Sequence, residues 1–284
     1  MSVVNTNTSA SIAQAALIRN ERDLGKAMEQ LSTGRKINSA GDNASGLAIS
    51  ARMTSQIRGL DQAVRNANDG VSMINTAEGA LDEITDMLQR IRELAVQSGT
   101  GTTSSEDRTY LDAEFDHLVA EIERVAANTQ WNGRNILNGD AGGSTVSTVA
   151  FQVGADPTQT VSLAFGNMSS DATMASVNSL SLDAATIASA IDKASAVMVV
   201  TDLAIEAVST QRATFGAVSN RLEHAIDNLT NVSTQTAASR SRILDTDYAA
   251  ATSELARTQI IQQAGTAMLA QANQLPQTVL ALLV

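Results

Sequence analysis

The segment NASGLAISARMTSQIRGLDQAVRNANDGVSMINTAEGALDEITDMLQRIRELAVQ, residues 43–97, carries the strongest periodic pattern of the chain. Its main apolar row recurs at every seventh residue: Met53, Leu60, Ala67, Ile74, Leu81, Leu88 and Ala95. A second row, shifted by one residue near Glu78 and Gly79, comprises Ile57, Val64, Val71, Ala77, Ile84 and Ile91. Steps of three and four residues indicate a helix, roughly 80 Å long at 1.5 Å per residue. Because the shift moves the second row to the other flank, we expect at least two neighbouring helices.

Composition and charge argue against several classes of protein. The 284 residues are 43% hydrophobic but only 2% aromatic, with a formal net charge of -11 and no cysteine. Few aromatic residues predict thin seams between helices rather than a thick globular core. The acidic balance argues against a nucleic-acid partner, since phosphate binding needs clustered basic residues.

No stretch of the sequence predicts a membrane span or a cleaved leader. Apolar runs stay below the roughly 18 residues that a spanning helix needs. The N-terminal residues lack the basic and apolar regions of a secretory signal peptide. From these features alone, we expect a cytoplasmic protein, or one exported by a route that does not use a cleaved signal.

A first, shorter helix is predicted before the long one. It begins near Ala10 and ends at Gly34, which breaks the pattern. Asp42 or Asn43 is then the expected N-cap of the long helix, because a short side-chain acceptor can satisfy an unpaired backbone N–H there. The apolar residues of the first helix at heptad spacing are Leu17, Leu24 and Leu31.

A third helix is predicted after the long one. It begins at Ser104 or Ser105, and Ser104 with Asp107 has the spacing of a capping box. A loop at residues 131–134 follows it. The apolar face suits a helix that folds back antiparallel on the long one and comprises Leu111, Phe115, Leu118, Ile122 and Val125.

The pattern changes to alternation in the middle of the chain. Residues 151–154 and 160–165 alternate as strands do, and residues 155–158 between them are typical of a turn. A further short strand is predicted at residues 145–150. Such a hairpin cannot be stable alone, so it must pack on the helices.

Helical periodicity returns from Asp183, with an unbroken row of Ile187, Ala194, Thr201, Val208, Phe215, Leu222 and Leu229. The companion row includes Arg212, which marks a place where the seam opens or gains a polar contact. After a softer stretch at residues 233–242, a last helix carries Tyr248, Leu255, Ile261, Met268 and Leu269. The palindromic order predicts that both chain ends lie side by side. The predicted fold class is therefore mainly α: a long antiparallel helical bundle or coiled-coil rod with a small β-hairpin region.

Several motifs of the chain resemble those of the bacterial flagellins. LSTGRKINSA at residues 31–40 resembles the N-terminal signature of that family, and RNANDG, TAEGAL and LQRIRELAVQ at 65–70, 76–81 and 88–97 resemble the central one. FQVGA at 151–155 resembles the hairpin segment, and SRI at 241–243 with QAGTAMLAQAN at 263–273 completes the match. The last connector departs from the family pattern at Thr234, Gln235, Thr236 and Ala251.

The resemblance implies a self-assembling subunit of the extracellular flagellar filament, the helical propeller for motility, exported unfolded through the flagellar type III route. Residues 1–40 and 243–284 would form the inner coiled-coil core domain. Residues 41–242 would form a rod domain with the hairpin insert at about 140–176, and the large outer domains of many relatives would be missing. The implied partners are further copies of the chain, a flagellar export chaperone, and cap and hook-associated proteins.

Polymerisation residues follow from the two end segments and from the resemblance. Each end segment carries only a narrow apolar stripe, which suggests that it is ordered when neighbouring subunits cover it; an ordinary four-helix bundle is the alternative. The predicted residues are Leu17, Leu24, Leu31, Gln89, Arg90, Leu94, Gln97, Glu114, Leu255, Ile261, Met268 and Leu269.

Arg90, Leu94 and Glu114 also match positions that a host toll-like receptor reads in some flagellins. Because Arg90 and Leu94 fall off the apolar row, we expect both to face partly outward. The resemblance thus implies a receptor contact as well as a subunit contact, and a role in packing alone is the alternative.

No catalytic, cofactor or metal site is predicted, because the sequence holds no constellation of a nucleophile, metal ligands or a phosphate loop. His117 and His224 have no ligand spacing around them and are expected to be ordinary surface or seam residues. The alternatives to a flagellin are a hook-filament junction protein and a secreted coiled-coil effector. Gly59, Gly70 and Gly79 inside the long helix are expected where backbones approach closely.

Overall fold

The computed structural model describes residues 6–142, 147–168 and 172–281, with the side chains of 172, 173 and 275–281 excepted. The elements in chain order are α1 (Thr8–Thr33), α2 (Ala44–Ser98), α3 (Ser105–Asn128), β1 (Gln130–Trp131), β2 (Arg134–Asn135), β3 (Thr148–Gln152), β4 (Thr160–Ala164), α4 (Ala172–Asn178), α5 (Ile187–Leu244) and α6 (Tyr248–Ala281). The fold is mainly α with small antiparallel sheets, as the periodicity predicts.

The chain forms two compact units. The terminal unit comprises Met1–Ile57 and Thr234–Val284, and the central unit comprises Arg58–Ser233. Helices α2 and α5 contribute residues to both units. Among the described residues, the two apolar core clusters both lie within the central unit.

The core of the central unit is built on the predicted row of α2. Ala67, Ile74, Leu81, Leu88 and Ala95 are all buried in it. The second row also behaves as its shift predicts: Val64 and Val71 are half-buried, whereas the residues after the shift, Ala77, Ile84 and Ile91, are fully buried.

Helix α2 has two helical neighbours in this unit, which confirms the expectation from the shifted row. Arg90 donates to Glu114 of α3, with 2.9 Å from Nε to Oε1, and Arg92 donates to Asp202 of α5, with 2.7 Å from Nε to Oδ1. Arg212 of α5 pairs with Asp82 of α2 at 3.0 Å. The polar member of the α5 companion row thus makes the polar contact that its position predicts.

The start of α3 confirms the predicted capping box. The backbone N–H of Asp107 donates to Ser104 Oγ at 3.1 Å, and the backbone N–H of Ser104 donates to Asp107 Oδ2 at 3.0 Å. These two bonds satisfy N–H groups that a helix start leaves without intrahelical partners.

The segment after α3 is a tight hairpin, not the predicted loop. Strands β1 and β2 pair Trp131 with Arg134, and the two residues between them, Asn132 and Gly133, have φ of 50° and 76°. Asn and Gly adopt positive φ at little cost, and two such residues in succession make the type I′ turn that suits the strand twist.

Strands β3 and β4 form the predicted hairpin, with Thr148 opposite Ala164 and Gln152 opposite Thr160. Strand β3 includes the later part of the further strand predicted at 145–150; residues 145 and 146 lie outside the described part of the chain. The hairpin packs on helices as expected. Asn66 of α2 donates to the Gln152 carbonyl at 3.2 Å, and Gln211 of α5 donates to the Ala164 carbonyl at 2.9 Å.

Of the three predicted glycines of α2, Gly59 faces another backbone as predicted, with 3.5 Å from its added Cβ to the Ala155 Cα, whereas Gly70 faces side chains. A Cβ on Gly70 would lie 3.1 Å from Phe151 and 3.2 Å from Leu222, and one on Gly59 would lie 3.2 Å from the Ala155 Cβ. A Cβ on Gly79 would meet nothing within 4 Å, so the prediction is wrong there. Gly79 is exposed on α2.

We expect Gly79→Ala to raise the free energy of unfolding by about 1 kcal/mol, because Ala has the better helix propensity and the space is open. Gly70→Ala is the matched control, and it should gain less because its Cβ crowds Phe151. Urea unfolding followed through the fluorescence of Trp131, the single tryptophan of the chain, measures both variants. Equal gains at the two positions would contradict this account.

Helix α5 is continuous to Leu244, so the softer stretch predicted at residues 233–242 is helical, and the last helix begins only at Tyr248. Ser233 donates to Asp61 at 3.0 Å in the central unit, and Arg240 donates to Thr54 at 3.3 Å in the terminal unit. These contacts to α2 support a stretch whose own apolar pattern is weak. The start of α5 is four residues later than predicted, at Ile187.

In the terminal unit, α1 packs against α6, which confirms that the two ends lie side by side. Asn20 donates to the Thr258 carbonyl and Asn7 to the Ala272 carbonyl, both at 2.8 Å. The buried apolar residues of these two helices are small, as expected of a thin seam: Ala27, Ala251 and Ala272.

The connector between α1 and α2 is held within the same unit. Asn43, not Asp42, caps α2, since its Oδ1 accepts from the backbone N–H of Gly46 at 2.9 Å. Asp42 instead accepts from the backbone N–H of Ser39 at 3.0 Å and pairs with Lys26 of α1 at 3.1 Å. These bonds, led by the one from Ser39, lower the pKa of Asp42 from 3.8 to about 2.

No helix within the described residues is long and apolar enough to cross a membrane.

Candidate interaction surfaces

The terminal unit exposes large apolar side chains on both of its long helices. Ile12 of α1 is 72% exposed, and Ile260 of α6 is 66% exposed. Large apolar side chains exposed on the helices of both chain ends are candidates for a contact with another molecule. We call this set the terminal face: Ile12, Ile18, Met28, Ile260, Ile261 and Met268.

The predicted polymerisation residues of the end segments divide between the seam and the terminal face. Ile261 and Met268 are exposed on the face. Leu17 lies against α6, because a Cβ on Gly265 would come 2.6 Å from its Cδ2 atom. The remaining leucines are half-buried: Leu24, Leu31, Leu255 and Leu269.

The predicted polymerisation residues did not include four members of the terminal face: Ile12, Ile18, Met28 and Ile260. Ile18 and Ile260 fall outside the heptad rows, which we interpreted as the contacting residues. A heptad row identifies the side that packs within the chain. Large apolar residues outside the heptad row could have been used to predict a second contact.

A second surface lies on α2 and α3 of the central unit and is centred on Arg90. Its guanidinium donates from Nη1 to Glu93 Oε2 at 2.8 Å and from Nε to Glu114 Oε1 at 2.9 Å. The hydrogen bond to Glu93, followed by that to Glu114, raises the pKa of Arg90 above its usual value. Gln89 and Gln97 are exposed on the same helix. We call Gln89, Arg90, Gln97 and Glu114 the Arg90 surface.

The expectation that Leu94 faces outward is wrong, because its side chain is 0% exposed and belongs to the core cluster. The main row alone suggests a narrow buried stripe. Since both α3 and α5 pack on α2, the buried arc widens to include Leu94 between Ile91 and Ser98. Leu94 therefore supports the Arg90 surface from below.

A shallow depression adjoins the Arg90 surface and is lined by Gln89, Arg92, Glu93 and Val96. Arg92 at its edge is paired with Asp202 of α5. Both histidines, His117 and His224, are exposed. No group of three or more potential metal ligands occurs in the part of the chain that the structure describes.

Two family models match the chain: the bacterial flagellin N-terminal helical region over residues 4–141, and the C-terminal helical region over residues 198–283. A flagellin of Halalkalibacterium halodurans is 46% identical over 283 residues, which cover 99% of each chain. The chain belongs to the bacterial flagellin family. Two further relatives each match over 99% of both chains at 43% identity: a flagellar filament 33 kDa core protein of Treponema phagedenis and a flagellin of Bacillus subtilis.

This flagellin is a structural subunit of the bacterial flagellar filament. The family polymerises with copies of itself, and its filament is an extracellular appendage. The equal lengths of this flagellin and its H. halodurans relative identify a short form. Strands β3 and β4 lie between the two regions that the family models match.

Proposed function

We propose that this flagellin polymerises through the terminal face, with a second copy of the chain as the occupant. The observation that carries the proposal is the exposure of large apolar side chains on α1 and α6 in a member of a self-polymerising family. The seam between these helices buries small residues, so much apolar surface of the terminal unit remains for neighbours to cover.

In this proposal, residues 1–40 and 243–284 form the inner core of the filament and residues 41–242 form its outer part. The leucines of the α1–α6 seam, Leu17, Leu24, Leu31, Leu255 and Leu269, position the terminal face. Ile261 and Met268 contact the neighbouring subunit. The contacts of neighbours complete the ordering of the end segments, so that folding of the terminal unit and polymerisation are coupled.

The test is a variant that lacks residues 272–284 and therefore loses the Asn7 bond to the Ala272 carbonyl. We expect full-length protein to form long filaments from added seeds in electron micrographs, and the shortened variant to form none. The Trp131 fluorescence of the central unit should be the same in both. Filaments from the shortened variant would contradict the assignment of the terminal unit.

We propose the Arg90 surface as a second contact, made between subunits along the filament and also by a host toll-like receptor on the free subunit. It is exposed, charged and held in place by two carboxylates, as a surface that pairs with polar groups of a partner should be. Arg90 and Glu114 make the contact, and buried Leu94 holds the helix that carries Arg90 in place.

Arg90→Asp should reduce receptor binding at least about tenfold, since it reverses the charge at the centre of the surface. The matched control is Arg124→Asp, because Arg124 of α3 is likewise exposed and paired with a carboxylate on its own helix, Glu121. Binding of the free subunit to the receptor ectodomain, with circular dichroism to verify the fold, measures the effect. An equal loss of receptor binding in both variants would indicate a general effect of charge. If neither variant lost receptor binding, the role of Arg90 would be limited to packing.

Export through the flagellar type III route, with a chaperone, cap and hook-associated proteins as partners, completes the proposal. It is supported by membership of the family. Pull-down of the chaperone by the free subunit, compared with the filament, tests it.

A further inference from the structure

Methionine exposure differs sharply between the two units. The chain has nine methionines. Among the described ones, only Met28 and Met268 are exposed, at 55% and 66%. Three methionines of the central unit are buried, Met73, Met168 and Met174. Met87 and Met198 of that unit are half-buried, as is Met53 of the terminal unit.

Both exposed methionines belong to the terminal face, one on each helix. Met28 lies near the C-terminal end of α1, and Met268 lies in the second half of α6. The backbone bonds Asn20–Thr258 and Asn7–Ala272 show that these helices run antiparallel. The two thioethers therefore lie towards opposite ends of the α1–α6 seam.

A thioether on this face can react in the free subunit. Hydrogen peroxide transfers one oxygen atom to the sulfur: the O–O bond breaks, an S=O bond forms, sulfur loses two electrons and water leaves. The product is a strongly polar sulfoxide in place of a flexible apolar group. Covering that sulfoxide with an apolar neighbour leaves its oxygen without the hydrogen bonds of water, which is unfavourable.

We propose that Met28 and Met268 are oxidation sites that control assembly: peroxide oxidises them in the free subunit, and the sulfoxides keep that subunit out of the growing filament. In the filament the same thioethers are covered and react slowly. The proposal rests on the assignment of the terminal face as the polymerisation surface. It makes filament growth sensitive to oxidants while existing filaments persist.

The test treats free wild-type subunit and preformed filament with graded hydrogen peroxide and locates sulfoxides by peptide mass spectrometry. In the free subunit, we expect Met28 and Met268 to be oxidised before every half-buried methionine. In the filament, the same two methionines should be oxidised at least about tenfold more slowly. Seeded elongation of the oxidised subunit should fall at least about tenfold. Equal oxidation rates in subunit and filament would overturn the proposal.

Variants separate this effect from general damage. The double variant Met28→Leu, Met268→Leu keeps both side chains apolar, so its elongation should withstand the same dose. The matched control Met87→Leu, Met198→Leu should remain as sensitive as wild type. Met268→Gln places a polar group at the site and should slow elongation without peroxide. Loss of elongation by the treated Leu double variant, or normal elongation by Met268→Gln, would overturn the proposal.

A separate arm tests the terminal face itself. Untreated Ile260→Asp contains intact methionines, and normal elongation of this variant would refute the polymerisation surface whatever peroxide does. If Ile260→Asp failed to elongate while the oxidised wild-type subunit elongated at the normal rate, only the oxidation proposal would be refuted.

Discussion

Ile260→Asp should reduce seeded filament elongation by about a hundredfold or more, because in the proposed assembly it places a carboxylate where a neighbouring subunit would exclude water. Ile260 is 66% exposed on α6 and lies beside exposed Ile261. In the free subunit the new charge stays hydrated, and exposed substitutions of this kind usually change stability by less than about 0.5 kcal/mol. The penalty therefore falls on assembly and not on folding.

Elongation rates measured from filament lengths in electron micrographs, together with thermal unfolding of the free subunit, check this expectation. Ile260→Leu is the matched control, since it keeps an apolar side chain of the same volume and should elongate almost as fast as wild type. If Ile260→Asp elongated normally, the terminal face would be solvent-exposed in the filament, and another surface would have to hold the subunits together.

Phe215→Ala should lower the free energy of unfolding of the central unit by about 3 to 5 kcal/mol, the range for removing a buried aromatic side chain. Phe215 of α5 is fully buried in the core cluster. Its ring lies 5.2 Å from that of Phe165, centroid to centroid, with the planes tilted by 55°. The substitution therefore leaves a cavity and also removes a favourable ring contact. Phe165 directly follows β4, so the pair connects the hairpin region to α5.

Urea unfolding followed by Trp131 fluorescence measures this loss, because Trp131 packs against the same core cluster. Phe215→Leu should lose less, since most of the volume stays filled. A loss below about 1 kcal/mol for Phe215→Ala would mean that the neighbouring helices close the cavity without cost, contrary to the packing described above.

Features that depend on local periodicity and local hydrogen bonds could be predicted from the amino-acid sequence. The row through Leu88 is buried from Leu60 to Ala95, since a heptad repeat aligns one side of a helix whatever its partner is. The capping box of Ser104 and Asp107 forms because its two residues need only each other. The Asn132–Gly133 turn was equally local, and its dipeptide signal was missed. The family resemblance, which the comparisons confirm, rested on whole motifs, and so needed no structure.

The tertiary structure alone decided how wide the buried arc of each helix is and where a helix continues. Leu94 is buried because α3 and α5 cover both flanks of α2, which a single row cannot show. Helix α5 passes through residues 233–242 because contacts to α2 compensate for a weak apolar pattern. Ile260 is exposed because α1 packs on α6 and leaves that side of it uncovered. The burial of a residue depends on all the elements that surround it, whereas the periodicity of a helix indicates only one packed side.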